Sequence, residues 1–243
     1  MRTWGQTPSA QDAGKGYNVF VDQEDNRKEG NRMKVMAFNG SPNEHGNTRQ
    51  ALEIVGEELR KADIGFEVVH VGDKVLSGCT ACHGCIGKRD GTCILGDDGV
   101  NGWIGKMREA DGILFGSPVH FASMGGSMKA FLDRAFFVSV VNGNLFRHKV
   151  GAGLAVVRRT GGLPTVDLLQ NYLNTSEMLI PTSCYWNVIH GKEPGEVMED
   201  VEGVQTLRIL GKNMAWLLQL VDNGKDSVRK PAAEEKVFQN FIR

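Results

Sequence analysis

No sign of charge dominates this chain. Its 28 lysines and arginines are balanced by 29 aspartates and glutamates, a formal charge of -1. It therefore has no long-range field to draw it onto nucleic acid or an anionic bilayer. No apolar run approaches the roughly 18 residues that a membrane span needs. The opening Met1-Arg2-Thr3-Trp4-Gly5-Gln6 lacks the apolar stretch of a secretory signal, which points to a cytoplasmic protein. Thiols stay reduced in that compartment, so five cysteines make a poor disulfide set. Four of them fall within fifteen positions. That clustering points to a metal or to redox chemistry. At 243 residues the chain can bury a full core as one medium-sized domain, or two small ones.

Residues 1–32 are polar and aperiodic, as in Asp22-Gln23-Glu24-Asp25-Asn26-Arg27-Lys28-Glu29-Gly30. Such a stretch buries too little apolar surface to offset its ordering entropy. It reads as a tail, as an arm ordered against a partner, or as an extension upstream of a start at Met33. From Met33 onward, short apolar runs alternate with helical periods. Strands are predicted at Val35–Phe38, Phe66–Val71, Ile113–Phe115, Val150–Val157 and Leu179–Tyr185, with Pro181 placing the last at an edge. A helix is predicted from about Thr48, with Leu52, Val55 and Leu59 inward, and another over Met128, Phe131, Leu132 and Ala135. Asp97 or Asp98 can cap a helix facing inward through Trp103, Met107 and Ala110. Two more run from Pro164, a favoured first helical residue, to Asn174 and from Val204 to Val221, leaving 222–243 as a charged tail. This alternation predicts an α/β fold with a parallel five-stranded sheet covered on both faces. In such folds the ligand sits on loops at the carboxyl ends of strands.

Three of those loops are rich in Gly, Ser, Pro and Thr. The first, Gly40-Ser41-Pro42-Asn43-Glu44-His45-Gly46-Asn47-Thr48, leads into a helix whose N-terminus can hold phosphate. It has no Gly-Lys-Ser/Thr ending, and no Gly-x-Gly-x-x-Gly follows a strand, so neither a nucleotide triphosphate nor a pyrophosphate is favoured. Neutral donors at a helix end suit a single phosphate monoester; an ordinary capped turn fits the same residues. The second loop, Ser117-Pro118-Val119-His120-Phe121-Ala122-Ser123-Met124, can line a planar ligand, with His120 read as structural rather than catalytic. The third, Arg158-Arg159-Thr160-Gly161-Gly162, sets two cations beside glycines that permit close backbone approach.

These segments, with Lys129-Ala130-Phe131-Leu132-Asp133-Arg134 between the second and third, resemble the NADPH-dependent FMN reductase group of flavodoxin-like proteins, and within it the iron–sulfur flavoproteins. The resemblance covers about residues 33–221. It implies a flavodoxin-like three-layer sandwich binding FMN. Ser41, Asn43, Asn47 and Thr48 would hold the phosphate, and Pro118, Val119, His120, Phe121, Ser123 and Met124 would line the isoalloxazine. Arg158, Arg159, Thr160, Gly161 and Gly162 would meet its pyrimidine end. His120 stands where that group usually has Tyr. The resemblance also implies a homodimer or homotetramer with FMN near a subunit boundary.

The cysteine segment, within an inserted loop over 77–98, reads Cys79-x2-Cys82-x2-Cys85-x7-Cys93. Cys-x-x-Cys-x-x-Cys can present three thiolates to a cubane cluster, with a fourth for the last iron. Seven residues before the fourth cysteine, and Ile94 after it, depart from the bacterial ferredoxin run. Zinc on four thiolates, or on three with His83, and unmetallated thiols remain open on spacing alone. The iron–sulfur flavoprotein resemblance implies that all four bind one [4Fe–4S] cluster. Cys184, alone near a strand, reads as a buried structural thiol.

The expected function is an FMN-dependent oxidoreductase passing electrons between a nicotinamide, NAD(P)H, or a redox-protein donor and an acceptor. The alternatives are an NAD(P)H:flavin or quinone reductase without a cluster, and a non-enzymatic electron carrier. No protein acid or base is required, because the chemistry belongs to the cofactor.

Overall fold

A computed structural model describes residues 32–234, together with 237 and 239. The expected arm over 1–32 lies, Arg32 apart, outside the described residues, as does much of the end of the tail. Five parallel strands, β1 (Lys34–Asn39), β2 (Gly65–His70), β3 (Gly112–Pro118), β4 (Val150–Val157) and β5 (Val188–His190), form one sheet in the order β2-β1-β3-β4-β5. That is the doubly wound order of flavodoxin-like sheets, with its topological switch between β1 and β3. β1, β3 and β4 are largely apolar and almost wholly buried, because both their faces are covered.

Helices α1 (Asn47–Lys61) and α6 (Val201–Gly224) cover one face through Leu52, Val55, Leu59, Leu207, Leu210 and Met214. Helices α3 (Val100–Glu109), α4 (Gly126–Val141) and α5 (Gly162–Thr175) cover the other through Ile104, Met107, Phe131, Leu132 and Leu169. A short helix, α2 (Gly84–Lys88), lies within the cysteine segment. Among the described residues no helix is long and apolar enough to cross a membrane.

The first four expected strands and the main helices stand where their periods place them. The fifth does not. Leu179 makes one isolated bridge to Val150, and the ladder resumes only at Val188–His190. Pro181 has no N–H to continue the pairing. Across the gap the side chain of Asn187 donates to the Gly153 carbonyl at 3.0 Å, while its own carbonyl accepts from Ala155 N–H at 2.9 Å. The chain between is looped to the surface and carries Cys184 with it, so that thiol is exposed rather than buried.

Three helix starts also differ. α5 begins at Gly162 behind a left-handed Gly161 (φ +90°), so Pro164 is its third residue. α3 begins after Gly99, with Asp98 paired to Arg134 while its Oδ1 accepts from the first helical N–H, that of Val100, at 3.4 Å; Ile104 takes the inward position and Trp103 is half-buried. α6 starts at Val201 because Asp200 accepts from Gly203 N–H at 2.9 Å as its cap, and it continues to Gly224.

Candidate functional site

The loops after β1, β3 and β4 abut one another along the carboxyl edge of the sheet. Gly40 N–H donates to the Gly116 carbonyl at 2.8 Å, and Gly125 N–H donates to Ser117 Oγ at 3.0 Å. Val119 N–H donates to the Val156 carbonyl at 2.8 Å. Gly161 closes against the second loop, where a Cβ would lie 3.0 Å from Val119 Cγ1. The three segments singled out in the sequence are thus neighbours.

The first loop is held by short hydrogen bonds between side chains and its main chain. Asn39 Oδ1 accepts from Ser41 N–H at 3.0 Å, Ser41 Oγ accepts from Asn43 N–H at 3.1 Å, and His70 Nε2 lies 2.7 Å from the Ser41 carbonyl. Gly72 packs beneath so closely that a Cβ there would fall 2.1 Å from the Ser41 carbonyl oxygen. Ser41 and Thr48 are buried, whereas Asn43 is exposed. The helix opens on Gly46 with no side-chain cap and no acidic residue in its first turn. Its leading N–H groups and dipole are therefore available to an anion. Asn47 is differently employed: its Oδ1 accepts from Gly195 N–H at 2.8 Å and its Nδ2 donates to the Glu193 carbonyl at 2.9 Å. That side chain straps the loop to the turn after β5.

In the second loop Pro118 and Val119 are half-buried, Met124 is buried in the core beneath, and His120 and Phe121 are exposed. Reciprocal backbone bonds between His120 and Ser123 pinch the turn, at 2.8 and 3.3 Å. Phe121 is 98% exposed with φ +56°, and His120 meets its ring edge-on at 5.5 Å. A large ring held out in a left-handed conformation is the kind of strain found at ligand clamps. In the third loop Arg158, Arg159 and Thr160 are exposed, Gly161 half-buried and Gly162 buried. A cleft of about 340 Å³ opens on its β5 side, lined by Arg159, Thr160, Tyr185, Trp186 and His190 among others.

The cysteine segment leaves the edge strand β2 and packs on α4. Cys79 and Cys82 are exposed, Cys85 on α2 is buried, and Cys93 is half-buried. Ala81, His83 and Arg89 all have positive φ, which curls the chain tightly. The Gly84 N–H holds the Cys82 thiol below its ordinary range. Burial pushes the Cys85 thiol up, and the neighbouring Cys93, Cys79 and Cys82 add to that shift. Cys85 is thus within electrostatic reach of the other three. Among the described residues no three His, Cys, Asp or Glu side chains already stand in a metal-ligating arrangement. The donor set nonetheless suits a thiolate-bound group. The His83 ring instead stacks on Phe137, at 6.2 Å and 24°.

Two residues that sequence reasoning gave no role here organise the segment. Asn101 brackets Cys93, accepting from its N–H at 2.8 Å and donating to its carbonyl at 2.9 Å. Arg134 on α4 reaches Ser77, Cys93, Leu95 and Asp98. Asn101 carries no local signal, and although Arg134 ends the Lys129–Arg134 segment noted in the sequence, its partners lie 36 to 57 residues away. α4 starts beside the second loop, and Arg134 lies eight residues on from Gly126, ~12 Å along the axis.

A family model described as NADPH-dependent FMN reductase matches residues 33–193. An iron–sulfur flavoprotein of Methanocaldococcus jannaschii is 36% identical over 200 residues, covering 78% of this chain and 99% of that one. One from Methanosarcina thermophila is 27% identical, covering 80% and 100%. Among solved structures, a flavodoxin, WrbA-like protein from Agrobacterium tumefaciens matches at TM-score 0.52 and 17% identity, over 78% of this chain and 99% of that one. RosB with bound 8-demethyl-8-formylriboflavin-5'-phosphate matches at TM-score 0.61 and 16% identity, over 87% and 94%. These two share the three-layer fold. With the family model spanning most of the sheet and the relatives aligned along nearly their whole length, the chain belongs to the NADPH-dependent FMN reductase family, in its iron–sulfur flavoprotein branch, and is an FMN-dependent oxidoreductase.

Proposed function

We propose that this oxidoreductase passes electrons between a nicotinamide or redox-protein donor and an acceptor through FMN and one [4Fe–4S] cluster, the latter ligated by Cys79, Cys82, Cys85 and Cys93. The observation that carries the reading is the placement of four thiols on one short segment, curled by positive φ at Ala81, His83 and Arg89 and packed against α4, the helix that begins at the ring-binding loop. FMN supplies two-electron chemistry and the cluster one-electron chemistry.

The chain's own part is to hold and orient. The start of α1 takes the phosphate through the buried hydroxyls of Ser41 and Thr48 and through backbone N–H groups, Asn47's included, with Asn43 at the rim. Pro118, Val119, His120, Phe121 and Ser123 flank the ring, and Met124 supports them from below. Arg158 and Arg159 favour negative charge at the pyrimidine end, where Thr160, Gly161 and Gly162 give close backbone approach. Residues 33–221 make up the FMN domain, 77–98 its cluster segment and 222–243 its tail. A cytoplasmic homodimer or homotetramer completes the reading, supported by the outward Phe121 beside the ring loop.

The test is anaerobic purification with analysis for iron, sulfide, zinc and FMN, followed by EPR of the reduced protein. About four iron and four sulfide per FMN are expected for a cubane cluster. Stoichiometric zinc, or FMN alone, overturns the cluster. Steady-state NAD(P)H oxidation with quinone or free flavin then separates a reductase from a carrier that turns over no small molecule.

A further inference from the structure

Arg134 is the largest fully buried side chain among the described residues, and its guanidinium is wholly shielded from solvent. Taking such a cation out of water costs several kcal/mol unless its charge and every N–H are answered. All five are. Nε donates to Cys93 Sγ at 3.3 Å. One terminal nitrogen donates to the Ser77 carbonyl at 3.4 Å and to the Asp98 carboxylate. The other donates to the Leu95 carbonyl at 2.6 Å and to Asp98 Oδ1 at 3.1 Å.

Every acceptor belongs to the cysteine segment, and the acceptors lie on both of its limbs. Ser77 precedes the first cysteine; Cys93, Leu95 and Asp98 stand at and beyond the last. A guanidinium with five donors in a fixed fork can span the two limbs in a way that a lysine cannot. For stability alone, well-packed apolar residues often do as well as a buried ion pair. The position of the cation therefore asks for another role, and its Nε–H is aimed at one of the proposed ligand sulfurs.

We propose that Arg134 is a positioning residue that closes the cysteine segment across its base and, through its hydrogen bond to Cys93 Sγ, raises the reduction potential of the cluster. The inference rests on the cluster reading above. When the protein takes up one electron from a chemical reductant such as dithionite, the segment gains one negative charge and no bond is made or broken. A hydrogen bond and a buried cation at a ligand sulfur favour that added charge. The Asp98 carboxylate, paired with the same guanidinium, opposes it. The two residues thus have opposite signs of effect, which a purely structural role does not produce.

The experiment is an EPR-monitored anaerobic redox titration of Arg134→Gln, Arg134→Lys and Asp98→Asn holoprotein, with iron and FMN content measured on each sample. Arg134→Gln is expected to lower the reduced-to-oxidised ratio at fixed ambient potential about tenfold, or 59 mV for a one-electron couple. Arg134→Lys, which keeps the charge without the fork, is expected to shift it less. Asp98→Asn is expected to shift it the other way, and the flavin couple in the same titration to move least. Loss of iron from both arginine variants with FMN retained supports the closing role, and Asp98→Asn then decides the effect on potential. Unmoved or same-sign potentials in iron-loaded variants overturn the inference alone. Wild-type protein lacking iron and sulfide overturns the cluster reading and this inference with it.

Discussion

The loop after β1 and the segment after β2 leave neighbouring strands at the same edge of the sheet, yet they are built in opposite ways. The first presents its main chain at an uncapped helix start, over a glycine, Gly72, pressed under the Ser41 carbonyl. The second has little regular structure and is fixed by side chains reaching in from α3 and α4, Asn101 and Arg134. A site made from backbone N–H groups tolerates side-chain loss but not an added Cβ. A site made from side chains has the reverse sensitivity. Each half should therefore fail in its own way.

The largest expected effect is on the side-chain-built half. Cys82→Ser should remove most of the iron while leaving FMN near wild-type stoichiometry, read by metal analysis and flavin absorbance. Loss of both together breaks the contrast. Gly72→Ala is its counterpart: a Cβ 2.1 Å from backbone must push the loop after β1 aside. It should cost about 1–3 kcal/mol in urea unfolding and release FMN by fluorescence titration, with iron retained. Asn47→Ala removes the strap from the first loop to Gly195 and Glu193 and should cost about 1–2 kcal/mol by the same unfolding assay. If phosphate binding uses the Asn47 backbone, FMN affinity should fall less than it does in Gly72→Ala.

Asp200 caps α6 behind the turn that holds the Asn47 strap, and it offers a pH test. Burial alone would raise its carboxyl, but the N–H groups of Gly203 and His190, with the His190 ring, outweigh that and hold it below its ordinary 3.8. Such a depressed carboxyl contributes stability above its unfolded value, lost as pH falls through the lower folded value. Asp200→Ala should therefore cost about 1 kcal/mol at neutral pH. The gap from wild type should close as pH drops below 3.8, followed by urea midpoints. The smallest effect is expected from Arg158→Ala, which should lower the flavin potential by spectroelectrochemistry while leaving iron content and unfolding unchanged, because Arg158 is exposed.

Much of this architecture was legible in the sequence. Buried strands such as Val150–Val157 are continuous apolar runs, and α4 displays its inner face as Met128, Phe131, Leu132 and Ala135. The three loops follow their strands directly, so their place at the carboxyl edge followed from the strand assignment. The fifth strand misled because the apolar stretch at Leu179 does pair, but for one residue only. Asn187, whose side chain bridges the gap, carries no hydrophobic signal.

Local periodicity and turn chemistry thus determined the α/β alternation, the loops and the cysteine spacing, because each depends on residues a few positions apart. Only the tertiary structure decided what fixes those loops. Asn47 joins the turn after β5 across 146 residues, and Arg134 joins Cys93 across 41. Polar partners that far apart share no period, and they meet only once burial leaves each donor needing the other's acceptor.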